Sequence, residues 1–226
     1  IFMGLFNVFG RVSGVIRYLL LVGLLSKDHF AIISYALSFG RLGRTFADGG
    51  LDNLISRDGA REPERVPEYL FHGLFLKFVL GLPFIVVSFY YLTAIREKGA
   101  FELAVIYTSM FGSIMLSMTG VLRSAFTAIE RMEYVFYTNL PSRLISIALL
   151  AAALVLGANL VVSAAFISLE NVLWFILLGA VSLRFFPIRS QLNGKTLWYM
   201  GSECWSLGLY AFFNVFYLSL DVMMID

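Results

Sequence analysis

The chain has 226 residues, of which 59% are hydrophobic and 14% are charged, with a formal net charge of +2. Soluble domains are about 45–50% apolar and about 25% charged, so this composition predicts an integral membrane protein, and the near-neutral charge argues against a nucleic-acid partner. The single cysteine excludes an intramolecular disulfide, and two histidines are too few for a His-rich metal site, so we expect neither a metal nor a cofactor.

Long apolar runs, interrupted by Gly, Pro and charged residues, predict an all-α fold with about seven transmembrane helices of about 20 residues or more. The runs are continuous and do not alternate over about ten residues, which argues against a β-barrel. The predicted helices are Phe6–Leu25, Phe30–Gly50, Tyr69–Leu92, Phe101–Ala125, Tyr134–Leu156, Leu160–Phe185 and Trp205–Ile225.

Basic residues are concentrated in the even-numbered loops, which by the positive-inside rule places these loops and the N-terminus in the cytoplasm. The predicted cytoplasmic set is Arg57, Arg61, Arg65, Arg123, Arg131, Arg143, Arg184, Arg189 and Lys195, against Lys27, Arg96 and Lys98 on the other side. The sequence therefore predicts a multi-pass membrane protein with its N-terminus in the cytoplasm.

The first predicted helix contains two arginines, Arg11 and Arg17, and no carboxylate. A charge at the bilayer centre costs about 2.5–3.5 kcal/mol, so such residues usually face a bundle interior or a wet cavity. The two arginines are about 120° apart on a helix and could flank a groove, with Gly10 and Gly14 allowing close approach. Arg11 could instead extend to the cytoplasmic surface, whereas Arg17 lies about two turns deeper.

The second predicted helix carries a polar stripe that contains Arg41, Arg44, Asp48 and Asp52 within about 80° of one another. Arg44 and Asp48 are spaced i, i+4 and could form an ion pair. The stripe ends at Gly49-Gly50, where we expect the helix to break and Asp52 to be solvated. Because guanidinium groups match phosphate oxygens, a cavity lined by these arginines suits an anionic substrate.

Two further acids lie inside predicted helices, Glu170 in the sixth and Asp221 in the seventh. Glu170 could pair with an arginine across the bundle or mark helix packing, and Asp221 has no local partner. With Asp48, they are candidate coupling or structural acids. Small residues of the fourth helix predict a packing face, formed by Ser109, Ser113, Ser117, Gly112 and Gly120.

The segment Phe186–Glu203 mixes polar residues with Trp198 and Tyr199. Two alternatives fit it equally, an amphipathic helix on the cytoplasmic membrane surface or an ordinary polar loop.

Four short motifs resemble branches of the multidrug/oligosaccharidyl-lipid/polysaccharide (MOP) exporter superfamily. Gly10–Arg17 resembles the R-V-x-G-x-x-R signature of the bacterial lipid II flippase, and Arg44–Leu51 resembles the R-x-F-A-[DE]-G segment of that family. Gly120–Arg131 is similar to the end of the fourth helix in O-antigen and polysaccharide flippases, and Asp221–Ile225 to the end of their seventh helix. The last two matches favour the polysaccharide branch.

The resemblance implies two six-helix lobes around a central cavity. Residues 1–185 would then be the N-terminal transmembrane lobe, 186–204 a cytoplasmic connector, and 205–226 the seventh helix, which starts a C-terminal lobe that is missing from the chain. It also implies that cavity arginines receive the diphosphate of a polyprenyl-linked sugar, a role that falls on Arg11, Arg17 and Arg44. Arg41 is added from the helix stripe alone.

By the same resemblance, the chain is a transporter and not an enzyme. It would translocate a polyprenyl-diphosphate-linked oligosaccharide by alternating access, as in O-antigen and lipopolysaccharide synthesis. Membrane lipids are further partners, and a polysaccharide polymerase or ligase is a candidate one. The alternatives are a lipid II flippase, a cation-coupled multidrug antiporter that depends on the acids, and a membrane-embedded enzyme or scaffold.

Overall fold

The computed structural model describes residues 2–96, 98–187 and 192–204, and within these ranges it contains helices and no β-strand. The α-helices are α1 (Phe2–Leu24), α2 (Lys27–Asp48), α3 (Leu51–Arg61), α4 (Val66–Tyr90), α5 (Ala100–Ala128), α6 (Met132–Val155) and α7 (Leu160–Phe185). A 3-10 turn (Pro63–Arg65) precedes α4, and a π-helical turn (Tyr91–Ile95) follows it. Residues 194–204 are also helical and are called the connector helix below. The predicted all-α membrane fold is confirmed.

Five segments are long and apolar enough to cross a membrane: α1, α4 with its flanking turns, α5, α6 and α7. Helix α2 has 22 residues, enough for a crossing at about 1.5 Å per residue, but it is more polar than these five. The first six predicted helices correspond to α1, α2, α4, α5, α6 and α7. Helix α3 was not predicted, and the predicted helix Trp205–Ile225 lies outside the described residues.

Left-handed glycines produce the sharp changes of direction. Gly49 has φ 52° and Gly50 has φ 86°, values that disfavour residues with a side chain, so α2 ends there and α3 starts in a new direction. This confirms the predicted break. Gly157, with φ 71°, likewise forms the predicted turn between α6 and α7, where the Asn159 side chain accepts a hydrogen bond from the Val161 N–H at 3.2 Å.

Helix α5 is the centre of the bundle, in contact with α2, α3, α4 and α7, whereas α1 packs mainly on α6. Small residues allow the close contacts, because Gly40 of α2 lies against Ser113 and Gly112 of α5 lies against Ser168 of α7. The predicted packing face on α5 is therefore confirmed.

The buried apolar residues form two clusters towards opposite ends of the helices. One contains residues of α3, the start of α4 and the end of α5, such as Leu54, Tyr69 and Phe126, together with Met200 and Cys204 of the connector helix. The other contains residues from the opposite ends of the spans, such as Leu21, Phe39, Met110, Leu150 and Ile167. Buried charges occur between and beside these clusters.

Candidate functional site

The first charged group, here called the arginine cluster, joins α1, α6 and α7. Glu170 of α7 forms an ion pair with Arg17 of α1, and its Oε1 accepts a hydrogen bond from Nε of Arg143 of α6 at 2.7 Å. Nη1 of Arg143 also donates to Oγ of Ser13 at 2.9 Å. The pairing of Glu170 with an arginine across the bundle was one of the two predicted alternatives.

Each member of the arginine cluster lies, along its own helix, between the two apolar clusters. Arg143 falls between Val135 and Leu150, and Glu170 falls between Ile167 and Trp174. The charges are therefore held at mid-height in the spans, where water is scarce and an ion pair is weakly screened.

The carboxylate is the inner part of this cluster, and the arginines form its more open side. The side chain of Glu170 is 3% exposed, while those of Arg17 and Arg143 are 21% and 18% exposed. Gly10 makes room for Arg143, since a Cβ at this position would lie 3.3 Å from its Nη1 atom. Arg17 Nε is buried and has no hydrogen-bond partner among the described residues. The cluster thus contains a buried donor that has no acceptor among the described residues.

The second charged group, here called the lysine cluster, joins α2, α3, α4 and α5. Nζ of Lys77 is bound by Oδ1 of Asp48 at 2.7 Å and Oδ1 of Asp52 at 2.6 Å, and it donates to the Ser117 carbonyl at 2.7 Å. Arg123 lies 3.6 Å from the other oxygen of Asp52. The Lys77 side chain has no exposed surface, so its charge is balanced entirely within the protein.

The turn at Gly49-Gly50 creates the lysine cluster. It brings Asp48, at the end of α2, and Asp52, in the first turn of α3, to the same ammonium group. Gly120 of α5 faces Asp52 so closely that a Cβ there would overlap its carboxylate. The cluster therefore fixes the break between α2 and α3 against α4 and α5.

The four predicted substrate arginines do not form a single group. Arg11 and Arg41 are exposed, and Nη2 of Arg41 donates to Oγ of Ser38 at 2.8 Å. Arg44 is half-buried and interacts electrostatically with Arg123 and with the acids of the lysine cluster. Arg17 alone joins the arginine cluster. The predicted acid Asp221 lies outside the described residues.

Three expectations were wrong. Asp52 is not solvated, because it binds Lys77, and Asp48 pairs with Lys77 instead of Arg44. Arg143, counted among the cytoplasmic loop charges although it falls inside the predicted helix Tyr134–Leu156, lies within α6 and binds Glu170. All three corrections depend on a basic residue inside a predicted span, Lys77 or Arg143. The same rule that singled out Arg17, a charge within an apolar helix, would have found them.

The connector helix is tied to α3 and α4 by polar contacts. Tyr199 donates to Oδ2 of Asp58 at 2.8 Å, Thr196 donates to Glu68, and the backbone N–H of Asn193 donates to Nε2 of His72 at 2.9 Å. Met200 is buried and Trp198 is 80% exposed, so the segment is an amphipathic helix, one of the two predicted alternatives.

The neighbours of Asp58 stabilise its ionised form. Burial alone would raise its pKa, but the hydrogen bonds from Arg57 and Tyr199 outweigh this and hold the pKa of Asp58 below its usual range. The same contact raises the pKa of Tyr199, because the phenol donates to a carboxylate. The contact is therefore strongest when Asp58 is ionised and Tyr199 is neutral.

Comparison with protein families gives a match over the full length of the chain. A family described as polysaccharide biosynthesis protein matches residues 1–226. No curated protein matches the chain significantly.

Proposed function

The chain belongs to the polysaccharide biosynthesis protein family, which matches its full length, and we propose that it is a flippase for a polyprenyl-diphosphate-linked oligosaccharide. Membership supports a role in polysaccharide biosynthesis, and the multi-pass helical fold supports a role in the membrane. The translocation of the lipid-linked intermediate, by alternating access across the cytoplasmic membrane, is the further step that we propose.

The observation that carries this proposal is the excess of guanidinium groups at mid-height in the spans. Arg17 and Arg143 share the single carboxylate of Glu170, and both arginines are partly open. A diphosphate needs positive charge and several hydrogen-bond donors when it leaves water, and the planar guanidinium supplies both. Arg17 is the residue that we assign to the diphosphate, and Arg44, which lies beside the lysine cluster, we assign to a separate position along the path.

The exposed arginines fit an earlier stage of the same path. Arg11 and Arg41 are accessible on α1 and α2, so they could attract an anionic headgroup before it reaches Arg17. In this proposal, residues 1–185 form one lobe, 186–204 the cytoplasmic connector, and 205–226 the first helix of a second lobe. The transported lipid and the surrounding membrane lipids are its partners, with a polysaccharide polymerase or ligase as a candidate protein partner.

The contacts made by the acidic residues favour this proposal over the alternative function, export of a cationic drug. Asp48 and Glu170 are both bound by basic side chains, so neither offers a free carboxylate to a cation in the described structure. We assign Asp48 a structural role in the lysine cluster. Asp221 remains a candidate coupling acid.

Complementation of a deletion strain tests the function. We expect Arg17→Ala to abolish surface polysaccharide and to cause accumulation of one polyprenyl-diphosphate oligosaccharide, while the protein level in the membrane is unchanged. Arg184→Ala is the matched control, because it removes an exposed arginine of α7 and should leave export intact. Normal surface polymer in the Arg17→Ala strain would contradict the proposal.

A further inference from the structure

We propose that Arg17 and Arg143 together form a diphosphate-binding site in which Glu170 is a resident anion that competes with the ligand. The inference rests on the proposed function for its ligand class, but it assigns new roles to Arg143 and Glu170. Two guanidinium groups from different helices, α1 and α6, converge on the two oxygens of one carboxylate of α7.

The direct ion pairs distinguish the arginine cluster from the lysine cluster. In the lysine cluster two cations, Lys77 and Arg123, contact two acids, Asp48 and Asp52, with Arg44 as a further positive charge nearby. In the arginine cluster two guanidinium groups, Arg17 and Arg143, share the single carboxylate of Glu170. An unbalanced charge between the two apolar clusters is unfavourable, and a bound anion would balance it.

Unused hydrogen-bonding capacity points to the same ligand. Nε of Arg17 is buried without a partner, although buried polar groups are normally hydrogen-bonded. Its neighbour on the same edge of the guanidinium, Nη2, is bound to Glu170. The carboxylate is the inner group and the two arginines are partly exposed, so the arginines are the part of the cluster that a ligand would meet first. A diphosphate offers more acceptor oxygens than the two of a carboxylate, so it can accept from both side chains at once.

The contacts suggest how the exchange proceeds. Arg143 holds Glu170 through Nε at 2.7 Å and Ser13 through Nη1 at 2.9 Å, so it can keep the carboxylate neutralised. Arg17 then exchanges Glu170 for a phosphate oxygen. Arg17 then opposes part of the ligand's negative charge while Arg143 continues to oppose Glu170, and no covalent or proton-transfer step is required.

Binding of farnesyl diphosphate to the complete purified protein in nanodiscs tests this assignment. We expect Arg17→Ala and Arg143→Ala each to weaken binding about tenfold, the effect of losing one charge-assisted hydrogen bond. We expect Glu170→Gln to tighten binding about threefold or more, because the competing charge is gone while the shape of the side chain is kept. Arg184→Ala should bind like the wild type.

A purely structural role of Glu170 gives the opposite result, since Glu170→Gln would then loosen α1 and weaken binding. That outcome, or unchanged binding by Arg143→Ala, overturns the inference. If Arg143→Ala fails to fold, Arg143→Lys keeps the charge and loses the planar fork, and it should still weaken binding.

The export assay separates this inference from the proposed function. If the binding changes follow our expectation but the Arg17→Ala strain exports polysaccharide normally, the binding site is supported and the proposed flippase function is contradicted. If Arg17→Ala stops export but the Arg143→Ala variant binds farnesyl diphosphate normally, the proposed function is supported and the two-arginine site is contradicted.

Discussion

Lys77 is enclosed completely, with two carboxylates and one backbone carbonyl around its ammonium group. Removing an ammonium ion from water costs several kcal/mol, and only close partners of opposite charge offset this. The side chain therefore cannot be exchanged for another large residue without consequences for Asp48 and Asp52. Its role is to hold α2, α3 and α4 together, and it does so outside the proposed binding site.

We expect Lys77→Met to destabilise the protein by about 3–5 kcal/mol, because two buried carboxylates lose their common counter-ion. Cys204, the single cysteine and 4% exposed, provides the measurement, since its labelling by a thiol reagent during heating reports unfolding. Adding Asp52→Asn to Lys77→Met should recover part of the loss.

Arg65→Met is the matched control for Lys77→Met. Arg65 also has two acidic partners, Glu62 and Glu68, but its side chain is 43% exposed, so the expected loss is about 0–1 kcal/mol. Equal losses in the two variants would contradict the buried role of Lys77.

The elements show which features the sequence could predict. Apolar runs are long and continuous, so the spans were predicted to within a few residues, and α7 matched the predicted Leu160–Phe185 in full. The partners of Asp48 were not predictable by the same reasoning. The angular positions assumed one straight helix, but Gly49 and Gly50 turn the chain between Asp48 and Asp52, so the angles no longer apply after the break.

The pairing of Glu170 with arginines could be anticipated only in outline. Intramembrane charges must find partners, which indicated an arginine across the bundle. The choice of Arg17 and Arg143 depends on which helices are neighbours, and α1 packs on α6 although four helices separate them in the chain. Helical periodicity contains no information on such neighbours.

Close helix contacts at glycine give a prediction at the scale of the element. At Gly112, an added Cβ would lie 2.8 Å from Cα of Ser168, so α5 and α7 must move apart. We expect Gly112→Ala to lower stability by about 1–3 kcal/mol, the usual effect of overpacking. The measurement is the midpoint of thermal unfolding in detergent.

Gly23→Ala of α1 is the control for Gly112→Ala. Nothing lies within 4 Å of a Cβ at Gly23, and alanine is the better helix former by about 1 kcal/mol, so this variant should be neutral or stabilising. A loss of stability equal to that of Gly112→Ala would show that the α5–α7 contact is not the cause.

At the scale of the whole molecule, the connector helix joins the end of the spans to the short helix α3. Its fixed contacts are Tyr199 with Asp58, Thr196 with Glu68, and Asn193 with His72. A segment docked in this way moves together with α3 and α4. The connector helix is therefore held as part of the same packed unit as these two helices.

The contact between Asp58 and Tyr199 predicts a pH dependence. Because the pKa of Asp58 is lowered by folding, its contribution to stability is present at neutral pH, above the ordinary value of about 3.9, and is lost as the pH falls through the folded value. We expect the wild type to unfold at a higher temperature than Asp58→Asn at about pH 6, with the difference shrinking towards about pH 3. Circular dichroism in detergent measures both midpoints, and a difference that does not change with pH would contradict the assignment.

Helix α2 has a consequence for how the protein is made. Its Arg41, Arg44 and Asp48 make it too polar to partition into lipid alone, and a partner of Asp48, Lys77, is synthesised later, in α4. We therefore expect the nascent chain to keep α2 beside the translocon until Lys77 has emerged from the ribosome. The ion pair that stabilises the finished bundle would then also set the earliest point at which α2 is released into the lipid.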